Sequence, residues 1–225
     1  MRKLMSAIPL YLCALILMLS TTLAFAQKGV AAGGIVWNYV ARVYFNPNNG
    51  TGQVAGYFTY FPGVDGLFAG TPSEATARFT FRSDTLQLQP VPSQGSLGVI
   101  LANSGEWRIY FNPTPAGNWS DLDSFSRGQV AAVLTHGTKE LVSAGVTGTS
   151  MFSGDVLSSS GFVLNTQEVN LGKIFPHGFT VFSTISNVPV SGTSEFPVGL
   201  PYAGSAIAKG PERNETSTAS GSNDR

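Results

Sequence analysis

From Ile35 to Phe45 the chain alternates: Ile35, Trp37, Tyr39, Ala41, Val43 and Phe45 fall on one side of an extended backbone, and Val36, Asn38, Val40, Arg42 and Tyr44 on the other. A period of two puts successive side chains on opposite faces, so the stretch predicts a strand with one core face. The same reading predicts strands over Gln53 to Phe61, Ala75 to Arg82, Thr85 to Gln89, Glu106 to Phe111 and Gln129 to Thr135. The cleanest alternation sets Ala75, Ala77, Phe79 and Phe81 against Thr76, Arg78, Thr80 and Arg82. Leu97 to Ala102 is largely apolar and predicts a strand buried on both faces. Val146 to Leu157, Gly161 to Leu164, Val169 to Phe175 and Phe179 to Ile185 complete the set. Pro90 and Pro92 should stop their strand or confine it to a sheet edge, and beyond Val190 the chain reads as irregular, with Pro197 and Pro201.

One strand-turn-strand unit occurs twice. Arg42-Val43-Tyr44-Phe45-Asn46-Pro47, followed by Gly52-Gln53-Val54-Ala55, returns as Arg108-Ile109-Tyr110-Phe111-Asn112-Pro113, followed by Gly128-Gln129-Val130-Ala131. The expected fold is therefore all-β: an antiparallel β-barrel or β-sandwich of about ten strands with an internal two-fold repeat. It forms one domain over 27–208, with halves near 35–92 and 97–190. The copies differ in their connection, because Asn46 and Gly52 are six apart whereas Asn112 and Gly128 are sixteen apart. Long structureless connections are uncommon in compact domains and are often functional. The inserted segment contains Trp119, Asp121, Asp123 and Phe125, which are the candidate ligand-binding residues. There Trp119 could stack on a sugar ring or cover a cavity mouth; the competing role is a plug against the core.

The start of the chain changes this picture by adding a destination. Arg2 and Lys3 precede an apolar run from Leu10 to Leu19, and Ala24-Phe25-Ala26 has the small-x-small form of a cleavage site. Residues 1–26 are thus expected to be a cleaved signal peptide, giving a secreted or periplasmic protein with no stable membrane anchor. The run is shorter than the roughly 20 residues of a spanning helix. Cys13 is the only cysteine and leaves with the signal, so the mature chain has no disulfide framework and no thiol chemistry. Removing Arg2 and Lys3 leaves 11 basic residues against 13 acidic ones, which supplies no basic surface for nucleic acid. From Lys209 onward the sequence is polar and predicts a disordered tail, 209–225.

Linear motifs for catalysis are absent. Gly95-Ser96-Leu97-Gly98 falls one residue short of Gly-x-Ser-x-Gly, and His136 and His177 stand forty-one residues apart without clustered metal ligands. Asp121-Leu122-Asp123 lacks the glycine and distal glutamate of a calcium loop, and two carboxylates on one loop are poorly placed to flank a glycosidic bond. Gly105-Glu106-Trp107 shares three letters with the lipocalin Gly-x-Trp element, but in mid-chain rather than near the mature amino terminus, and does not mark a family. No catalytic residue, metal or cofactor is assigned. The expected function is non-enzymatic binding of a small apolar ligand or a protein partner. A barrel enzyme, isomerase or hydrolase, and a surface-assembly protein using strand edges are the alternatives.

Overall fold

The structure, a computed structural model, describes residues 29–211, apart from the side chains of Ser93 and Gln94. The expected signal peptide and the tail beyond Pro211 lie outside the described residues. The strands, in chain order, are β1 (Ile35–Asn46), β2 (Thr51–Tyr60), β3 (Phe79–Ser83), β4 (Leu86–Gln94), β5 (Leu97–Ala102), β6 (Gly105–Phe111), β7 (Gln129–His136) and β8 (Lys139–Ala144). They continue as β9 (Thr147–Gly154), β10 (Val156–Ser159), β11 (Phe162–Leu164), β12 (Gln167–Val169), β13 (Phe179–Ser186), β14 (Val190–Ser191) and β15 (Val198–Ala208).

The pairings are antiparallel and close a ring. β1 pairs with β2 on one side and β15 on the other, β15 continues to β13 and β13 to β9. The remaining places are taken by long strands that bend. β3 runs into β4, β5 into β6, β7 into β8 and β9 into β10, with only one or two residues at each break. β4 meets β5 while β3 meets β6; β5 meets β8 while β6 meets β7; β8 meets β9 while β7 meets β10. β2 joins β3 along most of its contact and β4 at Thr51 and Gly52. Counting each bent pair once, eight strands follow one another up and down around a barrel-like sheet. Closure of this kind removes free edges around most of the ring. The hairpins containing the repeated sequence occupy the first and second and the fourth and fifth places. They are three places apart, where a twofold axis of an eight-place ring requires four.

Aromatic side chains fill the barrel. Trp37, Tyr39, Ala41 and Val43 of β1 face inward, as the alternation predicts, and meet Phe58, Phe81, Trp107, Phe152 and Phe179 from other strands. Phe81 stacks on Trp107 with ring centroids 5.0 Å apart, and Trp37 meets Phe175 edge-on at 5.0 Å. A one-turn helix, Leu171–Ile174, contributes Leu171 and Ile174 to the same core. The outward face of β1 is not all wet: Tyr44 is buried in a second cluster with Ala55, Leu122, Phe125 and Phe196.

Several expectations are corrected. The strand expected from Ala75 starts at Phe79, because the Thr76 hydroxyl donates to the carbonyl of Thr71 and accepts from the amide of Ser73, holding a turn. β5 is not buried on both faces: Leu97 and Gly98 are exposed and Val99 to Leu101 half-buried, because the strand belongs to a single-layer wall with one face turned away from the core. Val169 to Phe175 is not one strand: the Asn170 side chain accepts from Gly172 N and caps a helical turn. β4 runs through both prolines: its register with β2 covers Leu86 and Gln87, the Leu88 amide donates to the Gly50 carbonyl, and Pro90, opposite Ile100 of β5, lies beyond that contact, where a missing amide donor is tolerated. The largest omission is β15, which lies between β1 and β13 in a region read as irregular. Its Pro201 lies opposite Arg42, and on its other side falls between the β13 pairing, which ends at Tyr202, and the β14 pairing at Gly199. A missing amide donor is tolerated in that gap.

Candidate functional site

The inserted connection crosses the outside of β1, β2 and β3 as a strap. Its 3-10 turn, Leu122–Ser126, is capped by Asp121, whose side chain accepts from Asp123 N and pairs with Arg127 at 2.7 Å. Trp119 is half-buried, with its ring 4.8 Å from Phe125 and 5.9 Å from Tyr57, and the Arg42 guanidinium stands 4.6 Å over it. Tyr44 Oη donates to the Trp119 carbonyl at 2.9 Å, and Thr80 Oγ1 donates to the Phe125 carbonyl at 2.7 Å. Asp123 pairs with Arg82, and Phe125 is fully buried. The structure thus brings the four sequence-predicted residues together, each with an intramolecular partner.

Inside the barrel lies a polar group that sequence reasoning missed. Lys139, the first residue of β8, is 1% exposed, and its ammonium stands 4.5 Å from the Tyr202 ring, 4.9 Å from Phe152 and 5.4 Å from Trp107. Cations over aromatic faces are held by the ring quadrupoles, most strongly where water is excluded. Tyr202 Oη lies 3.0 Å from Ser150 Oγ, and Tyr39 Oη 2.6 Å from Ser183 Oγ. Burial pushes the Tyr202 phenol up, but the charge of Lys139 and the bonds from Lys139, Ser150 and Ser183 outweigh it, so its pKa lies below the usual tyrosine value. Tyr39, buried beside Tyr202, is pushed well up, mainly by desolvation. The available signal was parity: Lys139 occupies an inward position of its strand, but the stretch around it is polar and predicts no strand.

Two histidines reach the same end of the barrel, where the long strands bend. His136, the last residue of β7, is 3% exposed and lines a cleft of about 530 Å³ together with Gly105, Glu106, Ser153, Asp155 and Lys209. Its Nδ1 lies 2.9 Å from the Gly137 carbonyl, which can only accept, so Nδ1 carries the proton and Nε2 the lone pair. Nε2 is buried without a hydrogen-bond partner. Desolvation lowers the His136 pKa; the Gly137 carbonyl opposes it, Lys139 adds a smaller lowering effect, and Asp84 a still smaller opposing one. The exposed His177 lines an adjoining cleft of about 450 Å³ across the Asp155–Lys209 ion pair, whose length is 2.7 Å. Among the described residues no three His, Cys, Asp or Glu side chains gather as a metal site.

The outer wall carries a different surface. A groove of about 600 Å³ runs over β8, β9, β13 and β15. Met151 and Phe182, 56% and 47% exposed, stand directly opposite one another on β9 and β13, with Val142 beside them. The floor is made of small residues, including Ala203, Gly204 and Ser205. No helix among the described residues is long and apolar enough to cross a membrane. Compared with known protein families, with characterised proteins and with solved structures, the chain finds no match in any of the three.

Proposed function

We propose that the protein is an exported, non-enzymatic binding protein that takes a small apolar ligand on the outer wall of its barrel. The observation that carries this reading is the pairing of Met151 and Phe182 over the small-residue floor of the groove. A cross-strand pair of this kind stabilises the sheet by roughly 0.2–1 kcal/mol but still leaves about half of each side chain in water, and a ligand laid between them removes that apolar surface. The groove volume falls within the range of small-molecule sites, roughly 300–1,000 Å³. The barrel interior is occupied by its own aromatic rings, which favours the wall over the lumen as the seat.

Saturation-transfer NMR with a panel of fatty acids, terpenoids and aromatic metabolites tests the proposal. Binding of at least one class is expected, weakened by about tenfold or more in Phe182→Ser/Met151→Ser, since each lost apolar contact contributes on the order of 1 kcal/mol. Absence of binding across the panel, or equal binding by the double variant, would overturn it.

A further inference from the structure

The cleft over His136 belongs to no part of the apolar groove and has a different chemistry. Its buried feature is a neutral imidazole whose tautomer is fixed by the Gly137 carbonyl, leaving Nε2 as an acceptor with nothing to accept. Buried acceptors are normally satisfied, and one left open beside a cleft has a defined complement: a ligand O–H or N–H donor. Nε2 faces Gly105 across the β6–β7 pair, and a Cβ there would stand 3.2 Å from it, so glycine keeps this edge of the ring from being pressed by a side chain.

The other lining groups narrow the choice of ligand. Glu106 and Asp155 offer carboxylate oxygens, but each already has a cation: Arg108 at 2.6 Å and Lys209 at 2.7 Å. With both carboxylates paired and Lys209 itself in the lining, the cleft presents little net charge to draw either an amine or an anion. Ser104 adds a hydroxyl, Ser153 Oγ lies 2.8 Å from Thr180 Oγ1 and keeps capacity for a further bond, and Thr135 Oγ1 is taken up by the Asp155 backbone. A neutral molecule with several hydroxyls matches such a mixed wall, because each of its groups can both donate and accept. We infer that this cleft is a binding site for a small uncharged polyol, a sugar or cyclitol, one hydroxyl of which donates to Nε2 of His136.

The chain has two histidines, so nitrogen-detected NMR of the imidazole rings reads His136 directly, with His177 in the adjoining cleft as an internal reference. Titration of the protein with glucose, mannitol and myo-inositol is expected to shift His136 Nε2 from a free lone pair toward a hydrogen-bonded one with at least one of them. Calorimetry should show affinity for that polyol falling about tenfold in His136→Phe, which keeps a ring among Trp107 and Phe152 but removes the acceptor. Ser153→Trp is the second arm. Position 153 is exposed, and a large side chain there fills the cleft without opening the core, so it should abolish the shift even if the first variant fails to fold. The inference fails if no polyol moves the ring signal up to decimolar concentration, if putrescine moves it while polyols do not, or if Ser153→Trp titrates like the parent. None of these outcomes bears on the apolar groove, which is read by different ligands and variants.

Discussion

Replacing Lys139 with methionine separates the charge of this residue from its volume. The ammonium is 1% exposed and meets three aromatic faces. Losing those contacts removes about 2 kcal/mol of cation–π attraction at a desolvated site. Against this, keeping an ammonium out of water costs several kcal/mol after relaxation. Tyr202 does not add to the loss: with Lys139 gone, the two influences of the ammonium that lower its pKa disappear, burial is opposed only by the bonds from Ser150 and Ser183, and the pKa rises. Lys139→Met is therefore expected to be neutral to stabilising by about 1–3 kcal/mol, whereas Lys139→Ala leaves a cavity and loses about 2–5 kcal/mol. At roughly 2–4 °C per kcal/mol for a domain of this size, calorimetry should place the two variants on opposite sides of the parent or leave methionine level with it. Ultraviolet titration of the phenols supplies an independent reading: the earliest-titrating tyrosine of the parent should vanish in both Lys139→Met and Tyr202→Phe. A methionine variant as unstable as the alanine one, or an early phenol that survives it, would refute the reasoning.

Other outcomes follow from named contacts. Phe125→Ala should destabilise by about 3–5 kcal/mol in urea unfolding, since its ring is fully buried under the strap, while Asp123→Asn, at an exposed ion pair, should stay within about 1 kcal/mol of the parent. Thr166 holds φ of 68° in the β11–β12 turn, a conformation that strains a β-branched residue, so Thr166→Gly should raise stability by about 1 kcal/mol on the same assay. The lowered pKa of His136 makes the unfolded chain bind a proton that the folded one refuses; stability is fully present above about pH 6.5 and declines as pH falls from there through the folded value. Urea midpoints between pH 8 and 5 should show that decline, and it should flatten in His136→Gln.

Sequence alone determined the class of fold and most of the inward-facing residues. Trp37, Tyr39, Ala41 and Val43, and likewise Trp107, Ile109 and Phe111, were legible because a strand with one buried face writes a period of two, which needs no knowledge of its partner. β15 was not legible. Its small residues sit close to neighbouring strands, as at Gly204, where a Cβ would lie 2.4 Å from the Phe182 carbonyl, and that demand arises only once β13 is beside it. The candidate sites divide in the same way. The insertion containing Trp119 could be found by comparing two stretches of chain, but what it covers depends on Tyr44 and Ala55, exposed by parity and buried only when the strap returns across them. Lys139 with Tyr202, His136 with Gly105, and Met151 with Phe182 are pairs made by strand register and by the bends in the long strands, and tertiary structure alone decided them. Periodicity records which face of a strand is buried; only closure of the sheet fixes which residues from different strands meet.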